Sequence, residues 1–580
     1  MLKRQWNQWL DNLGLRLSSL DALPQLSMLA IPVGLLSAGV IIGFRMLVET
    51  SQALLLPGGD VENYEALGPL MRFLLPAGGG LLIGLGLQYL RDETRQTGIV
   101  HVMERLAYHQ GKLPLRNAIT QFIGAAISII SGHSVGREGP SVHLGATSGS
   151  LLGQWLRLPN NSNRTLAACG IAAAIAASFN TPLAGVIFAM EVVMMEYSLA
   201  SFAPVILSAV IATTLTQAVF GSGAVFTIPP TQLGSLLELP YVTLMGVALG
   251  SLAALFIHLL QRSTSRSSHW PIWIRCSLGG SIVGGIALLV PEVMGIGYDT
   301  VNQALLGQIG LSMLLAITAA KLLATALGLG LGLPGGLIGP TLVVGAVAGG
   351  AMGIMADTWL PGDIASPSFY AMIGMGTMMG ATLQAPLAAL TAMLELTANP
   401  HIILPGMLAL IAGGLVSREL FGKASVYLVL MRARGLDYND TPLTQTLRRI
   451  GVASVMNRQV ETLPGSCSRE QAETALASEP RWIVILRDTT PVSLMPAADL
   501  ARHIQEPGLA EEAPISLQEI PATRLEFSEI DFQSTLQEAL DKLNATGKDA
   551  LYITRQTVPG IRHIHGVLTR EAIDQSYRLR

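Results

Sequence analysis

The chain has 580 residues, 50% of them hydrophobic and only 13% charged, with a mean hydropathy of +0.49. That balance excludes an ordinary soluble globular protein and places most of the chain in a bilayer. The net charge of −3 comes without a basic stripe, which argues against nucleic acid as a partner, and Cys169, Cys276 and Cys467 lie too far apart for a zinc site or a disulfide framework.

The N-terminal segment MLKRQWNQWLDNLGLRL lacks the cleavage site of a signal peptide and reads as a basic amphipathic cytoplasmic helix over 1–22. Apolar stretches long enough, or nearly so, to cross a bilayer follow at 26–48, 69–90, 117–131, 166–195, 201–222, 239–261, 274–295, 311–331, 336–356, 370–397 and 402–417. Several are short or broken by Gly and Pro. Irregular backbone survives at membrane depth only where protein or a polar cavity surrounds it, so the breaks mark the place to look for a site.

Charge is sparse throughout this region. Between Thr165 and Leu237 the only Asp, Glu, Lys or Arg residues are Glu191 and Glu196, and between Thr300 and Leu394 they are Lys321, Asp357 and Asp363. Lys3, Arg4 and Arg16 precede the first span, and Arg418, Lys423, Arg432, Arg434, Arg448 and Arg449 follow the last. The positive-inside bias therefore predicts both termini in the cytoplasm of a multi-pass protein of the plasma (inner) membrane. Beyond about residue 445 roughly a quarter of the residues are charged, which predicts a separate soluble domain over 451–580 after a linker at 436–450.

The chain also repeats itself. GREGPSVHLGATSGSLLG at 136–153 matches GLIGPTLVVGAVAGGAMG at 336–353 in seven of 18 positions, and Pro182, Leu183, Ala184 and Glu191 recur as Pro386, Leu387, Ala388 and Glu395. Two halves with the same order of broken helices, about 23–225 and 235–430, predict a transporter-type duplication with an ion site where the halves meet.

The chemistry of the repeated segments fits an anion. Free backbone N–H groups at a helix start replace hydration without a full positive charge, Pro is tolerated in the first turn, and Gly lets the backbone approach closely. Gly145 and Gly149, later in the first helix, fit helix packing of the GxxxG kind instead. Glu138 is the sharpest residue, because an ionisable side chain inside a membrane segment costs roughly 2.5 to 3.5 kcal/mol even on insertion scales. Either Arg137 beside it is a structural partner, or the carboxylate occupies an anion position at the helix start and leaves when protonated, acting as a pH- and voltage-sensitive gate. His143 reads as a packed or pore-adjacent histidine, and Lys321 as a residue that snorkels or pairs near a helix start. No constellation of His, Cys and carboxylate suggests an enzyme.

GREGP (136–140), FNTPLAGVIFAMEV (179–192), GLIGP (336–340), LELT (394–397) and SVY (425–427), in this order, resemble the CLC family of chloride channels and transporters over about Leu26 to Gly435. The resemblance implies an all-α polytopic membrane domain over 23–435, an inverted repeat of tilted, broken helices, and a homodimer with one anion pathway per subunit. Glu138 then matches the external gating glutamate, and Tyr427 the tyrosine whose hydroxyl faces the central anion; taken without the motif, Tyr427 reads as an interfacial belt residue. Leu337 and Ile338 match positions that offer N–H groups, and Gly136, Arg137 and Gly139 join the anion-binding set. Chloride, and other anions of its kind, is the expected cargo, with no cofactor required.

Two departures bear on that expectation. QTGIV at 96–100 stands where the family usually reads GSGIP, so Thr97 replaces a serine whose hydroxyl it can still supply. Exchangers of the family commonly carry an inner glutamate immediately after the position of Glu191; here that residue is Val192, which cannot carry a proton. Glu191 reads as a structural carboxylate at a helix end, mirrored by Glu395, with proton transfer as the other reading. FAMEV thus predicts channel-like chloride conduction, the alternative being a proton-coupled chloride antiporter.

The tail, Val452–Ile504 and Ala522–Tyr577, shows strand, helix and paired strands twice and resembles a small α/β pair of CBS domains. An adenine nucleotide is the ligand such a pair implies, but Ala572 falls where nucleotide-binding modules often place a ribose-binding Asp after Thr569, and the first copy has Pro496 before Asp499. A purely structural, dimer-stabilising tail is the other reading. CBS tails also occur on divalent cation transporters, a remote alternative, since hard cations want the clustered oxygen ligands that this membrane region lacks.

Overall fold

The structure is a computed structural model. It describes residues 22–578 apart from 198, 224–225, 227, 229–230, 361, 363, 437, 439–440, 489, 506–513 and 559–560, together with Leu17 and Ser18. The expected amphipathic helix at 1–22 lies almost wholly outside the described residues. The chain divides into a membrane unit, 23–154 and 164–439, and a second unit made of 1–22, 155–163 and 440–580.

The membrane unit is helical. Its main helices are α1 (Leu23–Leu55), α2 (Pro69–Gln88), α3 (Gly98–Tyr108), α4 (Leu115–Ile130), α5 (Glu138–Trp155), α6 (Asn160–Phe179), α7 (Pro182–Phe188), α8 (Leu199–Phe220) and α9 (Leu239–Ser267). They continue with α10 (Ile272–Ala287), α11 (Tyr298–Leu305), α12 (Leu311–Gly330), α13 (Ile338–Trp359), α14 (Pro367–Leu383), α15 (Pro386–Thr397), α16 (Ile403–Leu415) and α17 (Val426–Ala433). Among the described residues, seven helices are long and apolar enough to cross a membrane, and four shorter ones are apolar but too short.

Two stretches expected as single spans are each two helices. The 166–195 stretch breaks before Pro182 and the 370–397 stretch before Pro386, each with a left-handed residue in the break, Asn180 at φ 58° and Gln384 at φ 55°. Proline ends a preceding helix because its ring clashes with the turn before it, and then begins the next helix well because that turn needs no N–H from it. The breaks occupy equivalent places in the two repeats, so they are part of the duplicated architecture.

Small residues let the paired helices touch. A Cβ added to Gly145 or Gly149 would fall 2.2 Å from the Gly170 oxygen or 2.0 Å from the Leu166 oxygen, so α5 lies directly on the backbone of α6. In the second repeat Gly345 and Gly349 meet the oxygens of Gly374 and Tyr370 of α14 at 2.3 and 2.4 Å in the same way. The packing role expected for Gly145 and Gly149 is therefore observed. Around these pairs, residues such as Ile41, Phe44, Ile129, Val135 and Ile296 form a buried apolar core.

The second unit contains two small α/β modules. In the first, strands β1 (Val460–Pro464), β2 (Trp482–Arg487) and β3 (Thr490–Pro496) form a sheet with helices Arg469–Leu476 and Ala497–Ile504. In the second, β4 (Phe527–Asp531), β5 (Ala550–Val558) and β6 (Ile561–Thr569) accompany helices Leu536–Thr546 and Arg570–Arg578. Both sheets have the same pairing, parallel between the first two strands and antiparallel between the last two. The 436–450 stretch, expected as a linker, contains a helix at Pro442–Arg449, and its Leu447 is buried in the core of the second module. Within this unit, Asn160, the first residue of α6, donates to both Glu538 carboxylate oxygens, at 3.2 and 2.9 Å.

Candidate anion site

The two GxxGP segments meet face to face. Gly136 N–H donates to Gly336 O at 2.7 Å and Gly336 N–H donates to Gly136 O at 2.6 Å, a two-residue antiparallel bridge joining the repeats immediately before α5 and α13 begin. Both helix starts thus come to one place, where their unpaired N–H groups provide positive potential without a buried cation.

Glu138 is fully buried at this junction. One carboxylate oxygen accepts from the Gly339 N–H at 3.1 Å, so the side chain of the first repeat occupies the helix start of the second. The other accepts from the Tyr298 hydroxyl at 2.7 Å. The glycines around it supply room: a Cβ on Gly136 would sit 2.0 Å from a Glu138 oxygen, and one on Gly339 would sit 3.0 Å from the other.

A cavity of about 810 Å³ opens beneath, with Thr97, Gly98, Gly139, Gly335, Leu337 and Tyr427 on its walls. Four of the expected residues, Thr97, Gly139, Leu337 and Tyr427, are therefore brought to one space. Thr97 is the residue immediately before α3, and the Gly98 N–H that follows it donates to the Gln121 side chain at 2.6 Å. The Tyr427 hydroxyl is buried with no partner among the described residues, so it is a donor left free toward the cavity it lines.

Three expected residues are placed differently. Ile338 opens α13 but its side chain packs in a small apolar space with Phe179 and Phe188, so only its backbone is near the junction. Gly136 is not a free donor, because its N–H is used by Gly336; its contribution is the space that the Glu138 carboxylate fills. Arg137 points away from the cavity walls: its guanidinium donates to Ser178 O at 2.9 Å, lies 3.7 Å from Glu49, and sits 5.4 Å from the centre of the Tyr298 ring. Its carboxylate partner is thus Glu49 rather than Glu138.

The other polar groups inside the membrane unit make the following contacts. Glu191 accepts from Leu387 N at 3.2 Å and Ala388 N at 2.6 Å, and Glu395 accepts from Leu183 N at 3.0 Å and Ala184 N at 2.7 Å. Each carboxylate caps the broken helix of the opposite repeat, the contact expected of a structural carboxylate. Val192 is buried and apolar beside Glu191. Lys321 does not snorkel: it is fully buried and its ammonium donates to the carbonyls of Val293 at 3.0 Å and Gly295 at 2.9 Å, in the loop that leads into α11. His143 packs against His101, ring nitrogens 2.9 Å apart.

Sequence reasoning missed Gly339 as the donor to Glu138, and Tyr298. The glycine was visible as the partner of Gly139 in the repeat alignment. The tyrosine carried no signal, since its loop lies outside the repeated block.

A repeat whose half-helices converge on a buried carboxylate next to a cavity walled by Gly139, Leu337 and Tyr427 places the chain in the class of anion-transporting membrane proteins. Residues 79–418 match the family "Voltage gated chloride channel", and the chain belongs to that family. A ClcB-like protein of Ralstonia nicotianae that carries a chloride-channel name is 37% identical over 389 residues, 66% of this chain and 90% of that one. The H(+)/Cl(−) exchange transporter ClcA of Vibrio cholerae is 33% identical over 320 residues, 54% of this chain and 68% of that one. Among solved structures, a slow cyanobacterial Cl−/H+ antiporter superposes with a TM-score of 0.62 at 25% identity, covering 71% of this chain and 98% of the other. Members of this family move anions through membranes and are not enzymes.

Proposed function

We propose that this protein is a proton-coupled chloride transporter of the plasma membrane, acting as a homodimer with both termini in the cytoplasm, in which Glu138 is both the gate and the outer proton acceptor. The observation that carries the reading is the Glu138 carboxylate held between Tyr298 and the α13 start, next to the cavity that Gly139 and Leu337 line. A carboxylate there competes with an anion for the same donors, so protonation releases it and admits chloride. The channel-like reading drawn from Val192 gives way, because the relative named as an exchanger and the antiporter of known structure favour coupling. Val192 still means that a proton on the inner side is carried by groups other than a glutamate at that position.

The test is a chloride gradient across proteoliposomes at equal pH. Coupled exchange drives protons uphill, and the Glu138→Gln variant passes chloride with no proton movement and no pH dependence. Chloride flux through the wild type without any proton movement sinks the exchanger and returns the channel.

For the tail we infer a structural role. A cavity of about 890 Å³ is lined by Asn457, Arg481, Trp482, Thr569 and Ala572; Ala572 offers only its backbone N–H, donated to the Thr569 hydroxyl at 3.3 Å, and the carboxylates on the walls are Asp549 and Glu571, at neither of which nucleotide-binding modules place their ribose-binding Asp. ATP at millimolar concentration is expected to leave the thermal transition of the full protein unmoved; a rise saturating with ATP reinstates a nucleotide site.

A further inference from the structure

We propose that Tyr298 is the second member of the gate, a positioning residue whose hydroxyl latches the Glu138 carboxylate in its closed place. This rests on the reading of Glu138 as the gate and adds a residue that neither the repeat nor the motifs indicate.

Tyr298 is held so that its hydroxyl has one direction to point. It opens α11 directly after Gly297, whose φ of 90° is a conformation that glycine adopts without steric cost. Its own N–H donates to a Glu62 oxygen at 3.2 Å, which ties the start of the helix to the loop between α1 and α2. The ring meets Phe226 edge-on with centroids 5.6 Å apart, Phe179 at 6.2 Å, and the Arg137 guanidinium at 5.4 Å. The hydroxyl then ends 2.7 Å from Glu138.

A phenol donates to an ionised carboxylate more strongly than to a neutral acid, and charge-assisted hydrogen bonds are about twice as strong as neutral ones. The latch therefore favours the closed, ionised gate and opposes its release. The Gly339 N–H acts in the same sense from the other side, but it belongs to the backbone and is present for any anion seated there. Tyr298 differs because its hydroxyl is a side-chain donor, which one substitution removes while leaving the backbone donor in place. Among the described residues, the other charged and titratable groups around the pair are Arg137 beside Glu138, Glu49 on α1, Glu62 in the loop between α1 and α2, Asp299 next to Tyr298 on α11, Lys321 on α12 against Gly297, and Tyr427 on α17. Arg137 is positive and Glu49 and Glu62 are acidic, so the hydroxyl is the neutral donor within a mixed field.

The experiment is chloride efflux from proteoliposomes as a function of pH for wild type, Tyr298→Phe, Glu138→Gln and the double variant. Phenylalanine keeps the ring against Phe179, Phe226 and Arg137 and removes only the oxygen. Losing one charge-assisted hydrogen bond is expected to move the pH midpoint of flux upward by about one unit, tenfold in proton activity. In the Glu138→Gln background the same change is expected to have no effect on the pH profile, which a general structural role of the tyrosine would not predict. A Tyr298→Phe profile that superimposes on wild type, or an equal shift in the Glu138→Gln background, overturns the latch while leaving the gate intact. A Glu138→Gln profile that keeps the wild-type pH dependence overturns the gate itself, and the latch with it.

Discussion

Glu138, Tyr298 and Glu62 form a short chain from the anion cavity to the loop between α1 and α2, and the loop end of that chain is itself titratable. Burial pushes the Glu62 carboxyl up to about 7, Asp299 adds to the rise, and Arg137, the Tyr298 N–H and Lys321 oppose it. The folded protein thus holds the Glu62 proton to a higher pH than the unfolded chain does. Between about 4.5 and 7 the unfolded chain ionises first, so stability falls as pH rises through that window and levels off above it. Gln resembles the protonated acid and still accepts from Tyr298. Glu62→Gln is therefore expected to melt with wild type at pH 5 and several degrees above it at pH 8, read by thermal denaturation in detergent; equal melting at both pH values removes Glu62 as a titrating group. Composition and insertion cost were enough to single out Glu138, since a carboxylate in a Gly-rich membrane segment is costly wherever it points. They were not enough for Tyr298, Glu62 or the Glu49 partner of Arg137, because each contact joins residues from separate helices and loops that only folding brings together.

At the scale of elements, the reciprocal caps of Glu191 and Glu395 pin the two repeats to each other. Each carboxylate meets two N–H groups at the start of the other repeat's broken helix, where helix-start donors have no intrahelical partner. Replacing either by Ala leaves one exposed and one partly buried helix-start N–H without its cap, and a loss of about 0.5 to 2 kcal/mol is expected. Thermal melts measure it, and the proton-to-chloride ratio of the surviving protein should not change. A changed ratio in Glu191→Ala would instead make Glu191 a proton carrier. The mirrored sequence positions of Glu191 and Glu395 were legible, as were the packing glycines, because a duplicated architecture leaves the same residue types at the same spacing. That each caps the opposite repeat was not legible, since a sequence repeat does not say whether the copies exchange contacts. Lys321 shows the same boundary. A lysine in an apolar stretch reads as one that reaches for water, yet three carbonyls in the loop before α11 replace that water within the protein.

For the molecule as a whole, the fold is a duplicated membrane unit and a separate α/β unit, each with its own buried core. The coupling experiment belongs to this scale: a reversal potential that shifts when pH differs across the membrane at fixed chloride is expected, and one that follows chloride alone would return the channel. Length, hydropathy, charge segregation and the repeat determined by themselves that this protein spans a bilayer and is built from two related halves, and they singled out Glu138 as the residue to look for where those halves meet. Those properties reside in composition and in periodicities along the chain, which need no long-range contact to be read. The tertiary structure alone decided which donors hold the Glu138 carboxylate, that the Gly136 N–H is used by Gly336, and that Arg137 pairs with Glu49. Each depends on residues roughly 90 to 200 positions apart meeting in space, and the free energy of such contacts is set by burial and hydrogen-bond geometry that no local pattern encodes.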